Sequence, residues 1–194
     1  MKIVLASKSG VRKKILDKYG FQTFVSPSNV DEDQVKESLL EKGADPEIIS
    51  KNLAELKSIK VSSKFPDQLV LGADSVISLN SKLINKPSSR QEALKILKLL
   101  NGKKHYLISS VCISKNGSMI WNHTDKSELK MKKLSDQELD SYLKEIKTEI
   151  LLAYGVYQIE AGGLNLFEYI KGDKDSIMGL PIKQIKEYLK NYKK

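Results

Sequence analysis

The segment Ala6-Ser7-Lys8-Ser9-Gly10 joins a short apolar stretch to a helical pattern that carries Arg12. A helix N-terminus that follows a strand and a turn of small residues presents backbone N–H groups to which anions bind. The hydroxyl of Ser7 and the planar guanidinium of Arg12 could add hydrogen bonds to a phosphate group. An ordinary capped helix on a surface turn fits the same residues. The segment therefore predicts an anion site and leaves a purely structural turn as the alternative.

Carboxylates stand at two places where they could bind a metal ion. Asp74 follows the apolar run Leu69–Leu71, at the end of a predicted buried strand, where α/β sheets commonly place catalytic groups. Asp31, Glu32 and Asp33 lie in a predicted loop. Together these carboxylates could hold Mg²⁺ or Mn²⁺ beside bound phosphates. The structural alternatives are a turn or cap residue at position 74 and, at 31–33, a solvated acidic turn that caps the following segment.

Three further charged residues are candidates for ligand binding. Lys57 and Lys86 could neutralise phosphates, although in a lysine-rich chain each could equally be a solvated surface charge. Glu160 precedes Ala161-Gly162-Gly163, whose glycines allow a ligand to approach the backbone closely, and a simple turn is the alternative.

The composition narrows the class of protein. A net charge of +9 fits a polyanionic ligand, but a general preference for lysine explains it as well, since only Arg12 and Arg90 among 33 basic residues are arginines. Cys112 is the single cysteine, which excludes an internal disulfide and favours a reducing cytoplasm. With two histidines, a zinc site is disfavoured. No apolar run is long enough to span a membrane.

The elements that would position these side chains alternate between strand and helix, which predicts an α/β fold in a single domain of one or two lobes. Capping pairs at Ser89/Glu92 and Ser135/Glu138 mark helix starts, and Asn116-Gly117 marks a hairpin. Hairpins imply a mixed sheet. The predicted strands cover Lys2–Ala6, Phe21–Val25, Gln68–Gly72, Val76–Leu79, Leu83–Ile84, His105–Ser114, Met119–Asn122 and Leu164–Ile170, and other helices cover Ser9–Tyr19 and begin near Asp45 and after Pro181.

Taken in order, several short segments resemble the Maf family of nucleotide pyrophosphatases. The resemblance spans nearly the whole chain, 1–194, and rests on the ordered set rather than on one motif. The segments are Leu5-Ala6-Ser7-Lys8-Ser9-Gly10-Val11-Arg12, Val30-Asp31-Glu32, Leu53-Ala54-Glu55-Leu56-Lys57, Gly72-Ala73-Asp74-Ser75, Lys86-Pro87 leading to Glu92-Ala93, Leu100-Asn101-Gly102-Lys103-Lys104-His105, Tyr157-Gln158-Ile159-Glu160, and Gly172-Asp173 leading to Met178-Gly179-Leu180-Pro181.

This resemblance implies a two-lobed α/β fold, similar to the inosine triphosphate pyrophosphatases, with a twisted mixed sheet flanked by helices and a central nucleotide cleft. It implies hydrolysis of a nucleoside triphosphate to the monophosphate and pyrophosphate, a divalent metal cofactor, and suggests a homodimer. Asp74 is expected to be the base that activates water, and Glu32 and Asp74 to bind the metal. The residues expected to bind substrate phosphates are Ser7, Arg12, Lys57 and Lys86.

Three positions bear on which base the substrate carries. The family branch that acts on dTTP and UTP has Arg, Thr and Gln at the places of Val11, Ser75 and Glu160, and none is retained here. Glu160 matches the branch that acts on 7-methyl-GTP, although that branch has an aromatic residue at position 11 and Gln at position 75. A carboxylate accepts two hydrogen bonds from the guanine edge, whereas adenine has no such donor pair. A guanine-type substrate, such as 7-methyl-GTP, is therefore expected.

Two other classes of function remain open from the sequence. The family has also been described as inhibiting septum formation, so a non-catalytic regulator of cell division is one alternative. The net charge of +9 and the basic segment Lys130-Met131-Lys132-Lys133 suggest a nucleic-acid-binding module. That module is disfavoured because no aromatic-basic interleaving typical of RNA- or single-strand-binding surfaces occurs.

Overall fold

The computed structural model describes residues 1–159 and 162–192. Helices and strands alternate along these residues, which confirms the predicted α/β class. The elements are β1 (Lys2–Leu5), α1 (Gly10–Lys18), β2 (Gln22–Val25), α2 (Glu32–Glu41), α3 (Pro46–Ser62), β3 (Val70–Leu79), β4 (Lys82–Ile84), α4 (Arg90–Leu100), β5 (Lys104–Lys115), β6 (Ser118–Met131), α5 (Asp136–Glu145), α6 (Thr148–Tyr154), a 3-10 helix (Gly163–Leu166), β7 (Phe167–Lys171), α7 (Lys174–Ile177) and α8 (Ile182–Tyr192).

The strands of the described residues form a mixed seven-stranded sheet. Their order is β2-β1-β3-β5-β6-β7, with β4 paired to β3. β1 runs parallel to both β2 and β3, whereas β4 pairs antiparallel with β3 and β7 pairs antiparallel with β6. The predicted hairpin at Asn116-Gly117 joins β5 to β6, and both residues have positive φ, as a tight two-residue turn requires.

The chain divides into two compact units. The first unit contains Met1–Val76, Ile108–Lys126 and the described chain from Asp173 onward, and the second contains Ile77–Leu107 and Ser127–Gly172. In the part of the chain described, no helix is both long and apolar enough to cross a membrane.

The core of the first unit is built where β1, β3, α1 and α8 contribute apolar side chains. The spacing of Ile182, Ile185 and Leu189 places them on one face of α8, and all three are buried. Each fully buried side chain of this size contributes roughly 1.5–3 kcal/mol. The cluster also includes Ile3, Leu5, Ile15, Leu16, Leu69, Leu71, Ala73, Val111, Ile113 and Leu180.

Capping residues lie at the predicted helix starts, although the Glu92 side chain bonds to Ser88 instead of completing a capping box with Ser89. Several predicted boundaries are wrong, and the strand predicted over Met119–Asn122 continues to Met131 in β6. Ser9 caps α1, and Ser135 and Glu138 form a reciprocal capping box on α5. The strand predicted to end at Gly72 continues to Leu79, so Asp74 lies inside β3 rather than after it. The strand predicted from Leu164 begins only at Phe167, because the preceding residues form a 3-10 helix. The segment predicted as an acidic loop instead opens α2.

Candidate active site

Asp74, Lys57 and Glu32 meet in the first unit. The Nζ atom of Lys57 lies 2.8 Å from Oδ1 of Asp74 and 2.7 Å from Oε1 of Glu32. Lys57 and Asp74 are 6% and 5% exposed. Burying a charge in this way costs several kcal/mol unless it is paired and hydrogen-bonded. The two carboxylates therefore compensate the buried ammonium, and the three residues form one electrostatic unit.

The close approach of α3 to β3 explains why Lys57 reaches Asp74. A Cβ atom at Gly72 would lie 2.1 Å from the carbonyl oxygen of Ala54 and 2.7 Å from the backbone nitrogen of Ser58. Alternate residues of a strand face the same side, so Gly72 and Asp74 both face α3. Only glycine at position 72 permits this spacing. Because Lys57 lies between Ala54 and Ser58 on α3, the close approach brings its ammonium group to the Asp74 carboxylate.

The two oxygens of the Asp74 carboxylate differ in their surroundings. Oδ1 accepts from Lys57, and the backbone carbonyl of Asp74 accepts from Oγ of Ser50 at 3.2 Å. Oδ2 is buried and has no hydrogen-bond partner among the described residues. Buried polar atoms in native proteins are nearly always satisfied. This oxygen is therefore available to accept a hydrogen bond from a bound water molecule or to contact a cation.

The acidic segment at the start of α2 divides its roles among its members. Asp31 caps the helix by accepting from the backbone N–H of Gln34. Glu32 turns to Lys57, and its side chain is 37% exposed. Asp33 is almost fully exposed and pairs with Lys36. The predicted structural role holds for Asp31, which caps the helix. Glu32 instead belongs to the charged cluster with Lys57 and Asp74.

The turn between β1 and α1 is held by its two serines. Oγ of Ser9 accepts from the backbone N–H of Arg12 at 3.3 Å, and Oγ of Ser7 accepts from the backbone N–H of Ser9 at 3.2 Å. The side chains of Ser7 and Arg12 also meet, with Nη1 of Arg12 donating to Oγ of Ser7 at 3.2 Å. The predicted phosphate turn is thus locally ordered by its own side chains.

The guanidinium of Arg12 also reaches distant parts of the chain. Nε donates to the carbonyl of Gly179 at 2.9 Å, Nη1 to the carbonyl of Ala73 at 3.0 Å, and Nη2 to Oγ of Ser75 at 3.1 Å. Ser75 in turn bonds to Oγ of Ser109 at 2.9 Å. Ser109 was not singled out from the sequence, because a serine inside an apolar strand carries no signal of its partners.

Val11, Lys86 and Glu160 are the remaining predicted residues. Val11 is half-buried and packs against the core of the first unit. Lys86 is exposed in the loop after β4, in the second unit. Glu160 lies outside the described residues. The predicted roles of these three residues therefore stay predictions.

The histidines and the cysteine, for which no catalytic role was predicted, occupy strands. His105 is fully buried on β5, its Nε2 lies 3.2 Å from the hydroxyl of Tyr157, and burial lowers its pKa to about 4. Burial also raises the pKa of the Cys112 thiol. Neutral side chains at positions 105 and 112 suit their buried places in β5.

The chain is similar to several known proteins. A family model described as Maf-like protein matches residues 2–192. A nucleoside triphosphate pyrophosphatase of Pelagibacter ubique is 64% identical, covering 97% of this chain and 96% of its own. A 7-methyl-GTP pyrophosphatase of Brucella abortus is 36% identical over 94% of this chain and 92% of its own. A solved HAM1 protein from Coxiella burnetii superposes with a TM-score of 0.45 at 14% identity, covering 68% of this chain and 73% of that one. The chain belongs to the Maf-like protein family.

Proposed function

We propose that the protein hydrolyses a nucleoside triphosphate to a nucleoside monophosphate and pyrophosphate. The observation that carries the proposal is the buried Asp74 carboxylate, which is paired through one oxygen with Lys57, while the other oxygen has no partner among the described residues. The names of the relatives support the same reaction, because nucleoside triphosphate pyrophosphatases match almost the full chain.

The chemistry needs an oriented water molecule and neutralised phosphate charge, and little else. In the proposed reaction, Oδ2 of Asp74 accepts a proton from water while the water oxygen bonds to the α-phosphorus. The bond between the α-phosphorus and the α–β bridging oxygen breaks, and pyrophosphate leaves. Lys57 orients Asp74 by its ion pair with Oδ1, so that the other oxygen faces the reacting water.

A divalent ion, Mg²⁺ or Mn²⁺, is proposed to bind through Glu32 and Asp74. The donor set fits a hard cation, since both groups are carboxylates. Oδ2 of Asp74 is buried and has no partner among the described residues, and its two lone pairs would serve the ion and the proton of water. No group of three or more metal-binding side chains occurs in the described ranges, so substrate phosphates and water would complete the coordination, as is usual for Mg²⁺. The ion, when bound, would neutralise charge on the triphosphate.

The family resemblance assigns phosphate binding to Ser7, Arg12, Lys57 and Lys86, and we propose this role for Ser7, Lys57 and Lys86. Ser7 stands at the turn before α1, where backbone N–H groups and the helix dipole favour an anion. Lys57 is already paired with two carboxylates, so its contribution to phosphate binding would be that of a nearby fixed charge.

A guanine-type base is the proposed substrate preference, with 7-methyl-GTP as the favoured example. The support is the acidic residue Glu160 in the sequence and the names of several relatives at 34–38% identity, which are 7-methyl-GTP pyrophosphatases. Val11 and Ser75 are the other proposed specificity positions.

We further propose that the protein is cytoplasmic and forms a homodimer. The single free thiol of Cys112 supports a reducing compartment. Analytical ultracentrifugation would test the dimer.

A pyrophosphate-release assay tests the proposal directly. Common and methylated nucleoside triphosphates are offered with Mg²⁺, with Mn²⁺ and with EDTA. We expect pyrophosphate rather than orthophosphate, no release with EDTA, and the highest kcat/KM for a guanine-type substrate. Equal kcat/KM for UTP and 7-methyl-GTP would remove the base preference alone. No release from any nucleotide, combined with steeply salt-dependent oligonucleotide binding, would favour the nucleic-acid-binding alternative.

A further inference from the structure

We infer that Arg12 is a positioning residue that holds the segment around Asp74 in place, rather than a ligand of the substrate phosphates. This inference rests on the proposed function and assigns a different role to one residue of the same site. Its basis is the set of acceptors that surround the guanidinium, all of which belong to the protein.

The acceptors come from three separate stretches of chain. Ser7 belongs to the turn after β1, Ala73 and Ser75 flank Asp74 on β3, and Gly179 precedes α8. The Arg12 and Gly179 partners are 167 residues apart in the sequence. The rigid guanidinium of Arg12 therefore joins the turn after β1, the strand that carries Asp74 and the loop before α8.

Arg12 acts on β3 from the face opposite to the reacting carboxylate. Successive side chains of a strand point to opposite faces, so Ser75 faces away from α3 and Asp74 faces towards it. The guanidinium bonds to the Ser75 hydroxyl and to the Ala73 carbonyl. It thus clamps the residue on each side of Asp74 without using the Asp74 side chain, which remains free to pair with Lys57.

Gly179 and Ser109, to which the sequence assigned no role, complete this clamp. Gly179 has φ of +97°, and a Cβ there would lie 3.2 Å from Oγ of Ser75 and 3.3 Å from Nε of Arg12. The bare backbone lets its carbonyl reach the guanidinium. From the neighbouring strand β5, Ser109 is 1% exposed and bonds to Ser75 at 2.9 Å. Ser109 therefore holds the Ser75 hydroxyl at the position where Arg12 binds it.

Arginine is required for this arrangement because of its shape. A guanidinium offers five N–H donors in a rigid planar fork, whereas a lysine ammonium is a compact charge with three donors. Four hydrogen bonds to four protein acceptors use the fork in several directions at once. Binding a phosphate through the same donors would require several of these bonds to break.

The test compares Arg12→Lys, Gly179→Ala and their double variant in steady-state kinetics with the best substrate. A positioning role predicts that each single change lowers kcat about tenfold or more while KM stays within about twofold. The reason is that the clamp holds Asp74 in the geometry needed for the reaction and does not contact the bound substrate. The kcat of the double variant should be no lower than that of the less active single variant, since both changes break the same clamp. Ser109→Ala, which keeps the backbone unchanged, should show the same pattern more weakly.

Gly20→Ala is the matched control for Gly179→Ala. Both glycines have positive φ, at +81° and +97°, so alanine is strained at each. Nothing lies within 4 Å of a Cβ at Gly20, so this variant should lose stability and keep kcat. The inference is overturned if Arg12→Lys raises KM about tenfold and weakens calorimetric binding of pyrophosphate, while Gly179→Ala and Ser109→Ala leave kcat unchanged.

Hydrogen exchange separates this inference from the proposed function. Arg12→Lys should accelerate amide exchange at residues 73–75, whether or not the protein turns over any nucleotide. Wild-type protein that releases no pyrophosphate would overturn the proposed function alone. Exchange at residues 73–75 that is unchanged in Arg12→Lys would overturn the positioning role alone.

Discussion

At the scale of single residues, the two oxygens of Asp74 have different surroundings. Oδ1 is held by Lys57, and Oδ2 has no partner in the described part of the chain. A carboxylate arranged in this way can be oriented by one oxygen and react through the other. The asymmetry makes Asp74 the residue whose chemistry matters most, and Lys57 the residue that sets its geometry.

Asp74→Asn is expected to fold normally and to lose about 10²-fold or more in kcat, which is the usual contribution of a general base. The change is nearly isosteric, but the amide cannot accept a proton from water. Steady-state pyrophosphate release and circular dichroism measure the two effects. Near-full turnover in a folded variant would show that another group activates the water.

Lys57→Met is expected to lower the free energy of unfolding by about 3–5 kcal/mol, because it leaves the buried Asp74 carboxylate without its cation. Urea denaturation at pH 7 measures the loss. Lys51→Met is the matched control, since Lys51 is exposed on the same helix, and it should change stability by at most about 0.5 kcal/mol. Equal stability of the two variants would contradict the buried pair.

At the scale of elements, the contact between α3 and β3 decides whether the charged cluster forms. Gly72 packs against the backbone of α3 so closely that a Cβ atom at this position would overlap the carbonyl oxygen of Ala54. The sequence contains this glycine within Gly72-Ala73-Asp74-Ser75, whose composition is also typical of a turn. That composition led to the wrong prediction that the strand ends at Gly72, since burial on both faces is a tertiary effect that local composition does not report.

Gly72→Ala is expected to destabilise the protein by about 1–3 kcal/mol or more, through overpacking against the carbonyl of Ala54. It should also lower kcat, because α3 must move away from β3 and carry Lys57 with it. Gly43→Ala provides the control: it is strained by its φ of +74° but has open space around the added atom. Retained kcat in Gly72→Ala would mean that the cluster does not depend on this spacing.

Short-range signals predicted most of the elements, while long-range contacts escaped prediction. Ser9, Ser89 and Ser135 cap helices as expected, because a cap involves residues three apart. The resemblance identified Asp74 and Glu32, which the structure brings to the same lysine. The bonds from Arg12 to Gly179 and from Ser75 to Ser109 join residues far apart in the chain, and nothing in their local sequence indicates the pairing.

At the scale of the whole molecule, stability should depend on pH through His105. Burial lowers its pKa to about 4, whereas the ordinary value is 6.5. The unfolded chain therefore binds a proton at a higher pH than the folded one, and stability rises with pH across this interval. The contribution is fully present above about pH 6.5 and is lost as the pH falls towards 4.

Urea denaturation of wild type and His105→Gln at pH 7 and pH 4.5 measures this contribution. The wild type should lose about 2–3 kcal/mol more than the variant between the two pH values, at about 1.4 kcal/mol per pKa unit. Other titrating groups are common to both proteins and cancel in the comparison. An identical pH dependence of the two proteins would show that His105 is not the group responsible.

The divided first unit has a consequence for how the protein is made on the ribosome. Its residues up to Val76 emerge early, but Gly179 and helix α8 emerge only after the second unit has been translated. At about 5–20 residues per second, the chain between Val76 and Asp173 takes on the order of 5–20 s to synthesise. During that interval β1, β3 and α1 lack the last helix that covers them, and the guanidinium of Arg12 lacks its Gly179 acceptor. The nascent chain therefore exposes apolar surface that a chaperone could bind, and the site cannot be completed before nearly all of the chain has left the ribosome.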